Sequence, residues 1–294
     1  MPIMNTSMQG KICVVTGANS GIGKATVLGL AEMGATVVMV CRDRARGEAV
    51  QSEVKEKSGN NAVDLLLADL SSQQSIRELA ETFKQGYAEL HVLINNAGGF
   101  NLTRRETVDG LERTFAVNYL APFLLTNLLL DVIKASAPAR IVNVSSDAHE
   151  EGYIRLDDLQ SEKRYRSMRA YGQSKLALVV FSYELARRLQ GTGVTVNCLH
   201  PGFVATNIAQ RDLVFPARIM AKFILSLLGI SPEEGAKTSL YLATSPEVEG
   251  VTGKYFDKGK EKSSVPISYD TSLQQRLWEM SAEVTGLSVP VRAE

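Results

Sequence analysis

Residues 11–23 read KICVVTGANSGIG, and the order of residue types in this stretch decides the fold. Lys11 to Thr16 is apolar and β-branched, as a strand requires; Gly17, Gly21 and Gly23 interrupt it, and a helical pattern runs on to Met33. Gly34 falls where a helix C-terminus favours glycine. Thr36 to Cys41 is then a continuous apolar run, the pattern of a strand covered on both faces. Helices that cross over between parallel strands provide such cover, so a parallel sheet is expected.

Outward from this unit the alternation continues. Helices are expected near 44–58 and 73–87, a long one near 108–135, and a strongly apolar one at 168–190; strands are expected near 62–67, 91–95, 140–145 and 195–200. A helix near 231–244, a strand near Tyr255, a polar exposed loop at 258–264 and a helix at 271–285 with Trp278, the only tryptophan, complete the chain. This pattern predicts an α/β fold, a single-domain doubly wound parallel sheet over 1–294 with its ligand crevice at the carboxyl ends of the strands. Residues 1–9 read as a flexible tail. Residues 207–230 break the rhythm and read as an insertion covering the ligand.

The 294 residues are 45% hydrophobic and 22% charged, which excludes a mostly disordered chain. Lys plus Arg number 32 and Asp plus Glu number 32, so no net charge suggests nucleic acid or an anionic membrane as a partner. Cys13, Cys41 and Cys198 fall in apolar strands and fit reduced core thiols in a reducing compartment. Neither a signal peptide nor a membrane span is expected, and the cytoplasm is the expected location.

The glycine loop between strand and helix has a physical use. Missing Cβ atoms let the backbone approach a pyrophosphate, and the free N–H groups of the helix start attract it, which marks Gly17, Asn19, Ser20, Gly21, Ile22 and Gly23 as dinucleotide-binding. NAD sites usually place an acid at the end of the second strand for the ribose 2′-hydroxyl; Cys41 stands here instead, followed by Arg42. Arg42, helped by Arg46, suits a 2′-phosphate, so NADP(H) is the expected cofactor. The competing reading of Arg42, Arg44 and Arg46 is a solvated helix start. Tyr171 and Lys175 share one helix face, one turn apart, after a strand ending in Ser145-Ser146; the strand before that ends in NNAG (95–98). All these groups are expected to meet at one edge of the sheet.

Together, TGANSGIG (16–23), DL (69–70), NNAG (95–98), Asn118, VSS (144–146), YGQSK (171–175) and HPG (200–202) resemble the short-chain dehydrogenase/reductase family over roughly residues 9–257. Within it, VCRD (40–43), LQSEKRY (159–165) and RLWEMS (276–281) look most like the retinol dehydrogenase and protochlorophyllide reductase-like branch, whereas NYLAPF (118–123) departs from that branch's NHLGHF. The resemblance implies a Rossmann fold and an oxidoreductase that moves a hydride between the nicotinamide and a small hydrophobic alcohol, aldehyde or ketone. It implies Tyr171 as acid/base, Ser146 as hydrogen-bond donor to the substrate oxygen, Lys175 on the nicotinamide ribose and Asn118 holding a water. It further implies Asp69, Leu70, Asn96 and Gly98 along the adenosine side, and Thr206 at the carboxamide. A free tyrosine titrates near pH 10, so the acid/base role asks for roughly 4 kcal/mol of phenolate stabilisation.

Other readings remain open at this level. A nucleotide-sensing regulator without turnover would use the same fold, and ARIMAKFILSLLG (217–229) would suit an interfacial lipid-handling protein. Residues 176–189 read as core, as a dimer-forming helix, or as both, and a homodimer or homotetramer is expected. His91, His149 and His200 form no metal-ligand pattern, and no metal is expected.

Overall fold

The computed structural model describes residues 6–202 and 230–288. Its centre is an eight-stranded sheet. The first half comprises β1 (Ile12–Thr16), α1 (Gly21–Glu32), β2 (Thr36–Cys41), α2 (Arg44–Ser58), β3 (Val63–Leu67), α3 (Gln73–Gly86) and β4 (Val92–Asn95). A segmented helical region follows: α4 (Arg113–Phe115), a π-helical turn (Ala116–Leu120), α5 (Ala121–Leu128) and α6 (Leu130–Ala135). The second half comprises β5 (Ala139–Val144), α7 (Ser167–Arg188), β6 (Val194–His200), α8 (Pro232–Thr244), β7 (Lys254–Asp257), β8 (Lys260–Lys262) and α9 (Thr271–Val284).

Spatial strand order is β3-β2-β1-β4-β5-β6-β7-β8, so the winding reverses between β1 and β4. All pairs from β3 to β7 are parallel, and only β8 is antiparallel, against β7. This is the doubly wound fold, whose crevice opens at the switch point beyond the strand ends. Alternating side chains of the strands supply two cores. Cys13, Val15 and Met39 face Val27 and Leu30 of α1 and Leu240 of α8; Val14, Val38 and Leu93 face Phe83, Leu124 and Phe181 on the other side.

The second core extends over α7 because the chain's own C-terminal helix covers it. Trp278 of α9 meets Phe123 edge-on at 5.0 Å and stacks on Phe181 at 5.8 Å, and the Arg188 guanidinium lies 4.1 Å from its ring centroid. Tyr183 stacks on Tyr269 just before α9. Residues 176–186 are all buried, between these contacts and the sheet, where Val179 and Tyr183 meet Cys198 and Tyr255; even Glu184 is buried, paired with Arg187 and Arg188.

Several local expectations are corrected. Met8, expected in a flexible tail, is buried in the first core and its N–H donates to the Met33 carbonyl, while residues 1–5 lie outside the described residues. The expected 108–135 helix starts only at Arg113, because Thr107–Gly110 closes a turn with Gly110 at φ 73° and the buried Glu112 caps the N–H groups of Thr114 and Phe115. The polar stretch 258–264 contains edge strand β8, which pairs through its backbone while its Lys-Glu-Lys side chains stay exposed. Thr206 and all but the last residue of 207–230 lie outside the described residues.

Candidate active site

At the carboxyl end of β1 the chain turns at Gly17 (φ 66°) and starts α1 at Gly21 (φ 52°). A Cβ on Gly23 would stand 2.3 Å from the Gly17 carbonyl oxygen, so only glycine lets the helix begin this close to the strand. Ser20 at the N-cap makes no side-chain capping bond, and no acid sits in the first turn. The helix N-terminus therefore offers N–H groups and positive dipole without a competing carboxylate, which fits a pyrophosphate. Ile22 contributes its backbone here while its side chain is in the core, and Asn19 lies half-buried beside it.

The end of β2 also fits a dinucleotide, and it carries no free acid. Asp43, the nearest carboxylate, caps α2 by accepting from the Arg46 N–H at 3.1 Å and pairs with the Arg46 guanidinium at 3.5 Å. Arg46 is thus paired at its own helix start, with its side chain exposed. Arg42 instead reaches across to Asp69, 3.6 Å away, with both groups about half exposed. Burial opposes the Asp69 charge, but the Ser71 hydrogen bonds and then Arg42 hold its carboxyl below the usual range. Leu70 packs onto the second core.

Asn96 ties β4 to the glycine loop. Its side-chain amide donates to the Thr16 carbonyl at 2.8 Å, and the Thr16 hydroxyl accepts from the N–H groups of Asn96 and Ala97 at 3.0 Å each. It thereby holds the two strand ends at the switch point together. A Cβ added to Gly98 would lie 3.4 Å from both Asn118 Oδ1 and Lys175 Nζ, which places those two groups around one backbone point.

Lys175 is buried, and its ammonium donates to the Val144 carbonyl at 2.9 Å. Burial pulls it down to about 8. Tyr171, one turn earlier on α7, is half-buried; burial raises its phenol, and a hydrogen bond with Ser146 offsets part of the rise. The Lys175 Nζ lies 5.8 Å from the Tyr171 ring centroid, and Phe100 meets that ring edge-on at 5.7 Å. The two serines after β5 divide as their alternation requires. Ser145 is buried and donates to the Lys175 carbonyl at 2.9 Å, whereas the half-buried Ser146 hydroxyl donates to Asp147 at 2.8 Å and accepts from the Ala148 N–H at 3.2 Å, and it lowers the pKa of the neighbouring Tyr171 phenol.

Asn118 sits in the π-helical turn, fully buried, with its side chain clasping Gly99: Nδ2 donates to the Gly99 carbonyl at 2.9 Å and Oδ1 accepts from the Gly99 N–H at 2.7 Å. Its Nδ2 also donates to the Ser174 hydroxyl at 2.9 Å. The turn widens here because Pro122, four residues on, has no N–H to return to the Asn118 carbonyl and its ring crowds that carbonyl. Gly99, Ser174, Phe100 and the Val144 carbonyl were not among the expected site residues. Ser174 lies inside YGQSK, but the others contribute backbone or packing, which residue type does not announce.

The switch-point crevice and the glycine turn define a Rossmann-type fold, and Asn118, Ser146, Tyr171 and Lys175 come together beside that crevice. A family model for short chain dehydrogenase matches residues 11–213, and the chain belongs to this family. It is an NAD(P)-dependent oxidoreductase acting on an alcohol or carbonyl group. It is similar to retinol dehydrogenase 14 of Homo sapiens, 45% identical over an aligned length of 295 that covers 95% of this chain and 88% of that protein. Among solved structures it resembles an uncharacterised protein from Mycobacterium paratuberculosis, with TM-score 0.79, 32% identity and 97% of both chains covered. It also resembles the NADP complex of Pseudomonas aeruginosa RhlG, with TM-score 0.68, 29% identity and 85% and 95% of the two chains covered. Among the described residues no helix is long and apolar enough to cross a membrane, and no cluster of His, Cys, Asp and Glu could hold a metal ion.

Proposed function

We propose that the chain is an NADP(H)-dependent oxidoreductase for a hydrophobic alcohol and its carbonyl partner, with Tyr171 as the acid/base. The observation that carries this reading is the meeting of Tyr171, Lys175, Ser146 and Asn118, from three separate elements, beside the end of β4. Bound NADP(H) supplies or accepts the hydride. Every other step belongs to the chain.

Ser146 donates to the substrate oxygen, and Tyr171 gives that oxygen its proton during reduction or removes it during oxidation. Lys175 holds the nicotinamide ribose and, with its Nζ 5.8 Å from the Tyr171 ring centroid, brings positive charge near the phenol. Asn118 keeps Gly99 and Ser174 fixed around Lys175 and holds a water toward that lysine. Along the adenosine half, Gly17, Asn19, Ser20, Gly21, Ile22 and Gly23 take the pyrophosphate, and Arg42 exchanges Asp69 for the 2′-phosphate, with Arg46 beside it. Asp69, Leu70, Asn96 and Gly98 border the adenosine, and Thr206 takes the carboxamide. The absence of a free acid after β2 supports NADP(H) over NAD(H). Similarity to a retinol dehydrogenase supports an apolar alcohol or carbonyl substrate.

The test is titration of the protein with NADPH and NADH, followed by oxidation of bound NADPH with retinoid and other apolar aldehydes and ketones. NADPH is expected to bind more tightly and to turn over. Tight binding without turnover across the panel would favour a nucleotide sensor, and binding of neither nucleotide would overturn the assignment at its first step.

A further inference from the structure

Behind Ser146 the structure buries a set of polar atoms that the proposed chemistry does not use. His149 lies on the short 3-10 turn that follows Ser146 and is wholly inaccessible to solvent. Its Nδ1 is 2.7 Å from the Ser146 carbonyl oxygen. A carbonyl only accepts, so the proton of this ring is on Nδ1 and Nε2 carries a lone pair. Among the described residues Nε2 is nevertheless buried without a hydrogen-bond partner, and so are the Tyr255 hydroxyl and Asp257 Oδ1.

These three atoms belong to one corner of the molecule. The His149 and Tyr255 rings are 4.7 Å apart between centroids, and Tyr255 and Asp257 are two residues apart on β7, hence on one face of the sheet. His200, paired with Asp257 in register, comes no closer to Asp257 Oδ1 than 3.8 Å through its Nε2, beyond a hydrogen bond. Unpaired polar groups in a dry interior are costly, and a group of them is ordinarily reconciled by an internal water with about three partners. The inventory here matches one water. It would donate one proton to His149 Nε2 and the other to Asp257 Oδ1, and accept from the Tyr255 hydroxyl.

We propose that His149 is a positioning residue for Ser146, held in its Nδ1-protonated tautomer by a buried water shared with Tyr255 and Asp257. Through Nδ1–H it fixes the Ser146 carbonyl, and with it the turn that aims the Ser146 hydroxyl at Tyr171 and the substrate oxygen. This rests on the role proposed for Ser146. The arrangement also explains why an imidazole, rather than an apolar ring, occupies a site with no exposure: two hydrogen-bonding ends are needed, 3-10 turn on one side and β7 on the other.

The experiment has two arms. In the first, nitrogen-15 NMR of the full-length protein reads the His149 tautomer; Nδ1 is expected protonated and Nε2 an acceptor, with Tyr255→Phe shifting the Nε2 resonance. A ring protonated on Nε2, or an Nε2 resonance indifferent to Tyr255→Phe, would overturn the water site. In the second, His149→Leu is expected to lower kcat roughly ten- to hundredfold, as a misaimed donor does, with KM changed little. His149→Asn, whose amide nitrogen overlays Nδ1, is expected to recover most of that loss. Equal kcat in both variants and wild type, or an equal loss in both variants, would overturn the positioning role. Ser146→Ala separates the two readings: if it retains wild-type kcat, the assignment of Ser146 itself is wrong, whereas its loss beside an unaffected His149→Leu refutes only the role of His149.

Discussion

The Tyr119 and Ser281 hydroxyls lie 2.6 Å apart, both buried, and join two residues separated by 162 positions. Tyr119 follows Asn118 in the π-helical turn, and Ser281 is on the inner face of α9. The C-terminal helix therefore bears directly on the turn that carries a proposed site residue. The cost of breaking this bond depends on which partner is removed. Ser281→Ala leaves the Tyr119 phenol buried without a partner, a loss of about 1–3 kcal/mol, whereas Tyr119→Phe leaves Ser281 still donating to the Leu277 carbonyl and costs about 1 kcal/mol. Urea denaturation of the two variants is expected to give that order; the reverse order would mean that packing of the Tyr119 ring and not its hydroxyl dominates.

Among the described residues Arg42 is held by a partly exposed pairing with Asp69, which a phosphate can displace. Arg42→Ala is expected to raise the Kd for NADP(H) roughly tenfold or more, the worth of one charge-assisted contact, and to leave NAD(H) within about twofold. Calorimetric titration checks it. An equal loss for both nucleotides would move Arg42 off the 2′-phosphate and onto a shared part of the cofactor.

Tyr171→Phe removes a hydroxyl and keeps the ring against Phe100. Turnover is expected to fall by about two to four orders of magnitude, while NADPH binding followed by fluorescence stays within about threefold. Wild-type turnover in this variant would assign the proton to another group.

Lys175 places a pH dependence on stability. Its ammonium sits at about 8 in the folded protein against 10.5 when free, because burial penalises the charge. Folding therefore pays for an awkward cation below pH 8, and the unfolded chain binds more protons between about 8 and 10.5, so this residue makes stability rise with pH across that window. Lys175→Met is expected to abolish activity yet to raise the melting temperature of the cofactor-free protein at pH 7. The advantage, at most about 3 kcal/mol, should shrink as pH climbs from 8 towards 10.5. Thermal scans at pH 7 and pH 10 decide it; a constant difference between the two proteins would show that the lysine titrates outside the window.

Much of this architecture is legible along the chain because it repeats locally. Apolar runs such as ICVVT and TVVMVC report strands covered on both faces, and the glycines between Thr16 and Lys24 report a turn that no other residue could make so tightly. Spacing alone set Tyr171 and Lys175 on one helix face, and the order of motifs along alternating units brought Asn96 and Ser146 to the same sheet edge. The helix expected over 108–135 shows where such reading stops. Its apolar content is helical throughout, yet the Asp109-Gly110 turn, the buried cap Glu112 and Pro122 cut it into pieces.

What had no local signature was the partner of each group. Nothing in the pattern of 176–189 distinguishes a face that awaits a second copy from one that the chain itself covers, and Trp278 and Tyr269 arrive there from the C-terminal part of the chain. In the same way, residue type identifies His149 as a hydrogen-bonding group but cannot say that it holds the Ser146 carbonyl and faces Tyr255. Periodicity and turn chemistry act over a few residues and are written in neighbouring side chains. Burial, pKa and hydrogen-bond pairing depend on atoms brought together from distant positions, and they exist only once the sheet has closed and the helices have packed on it.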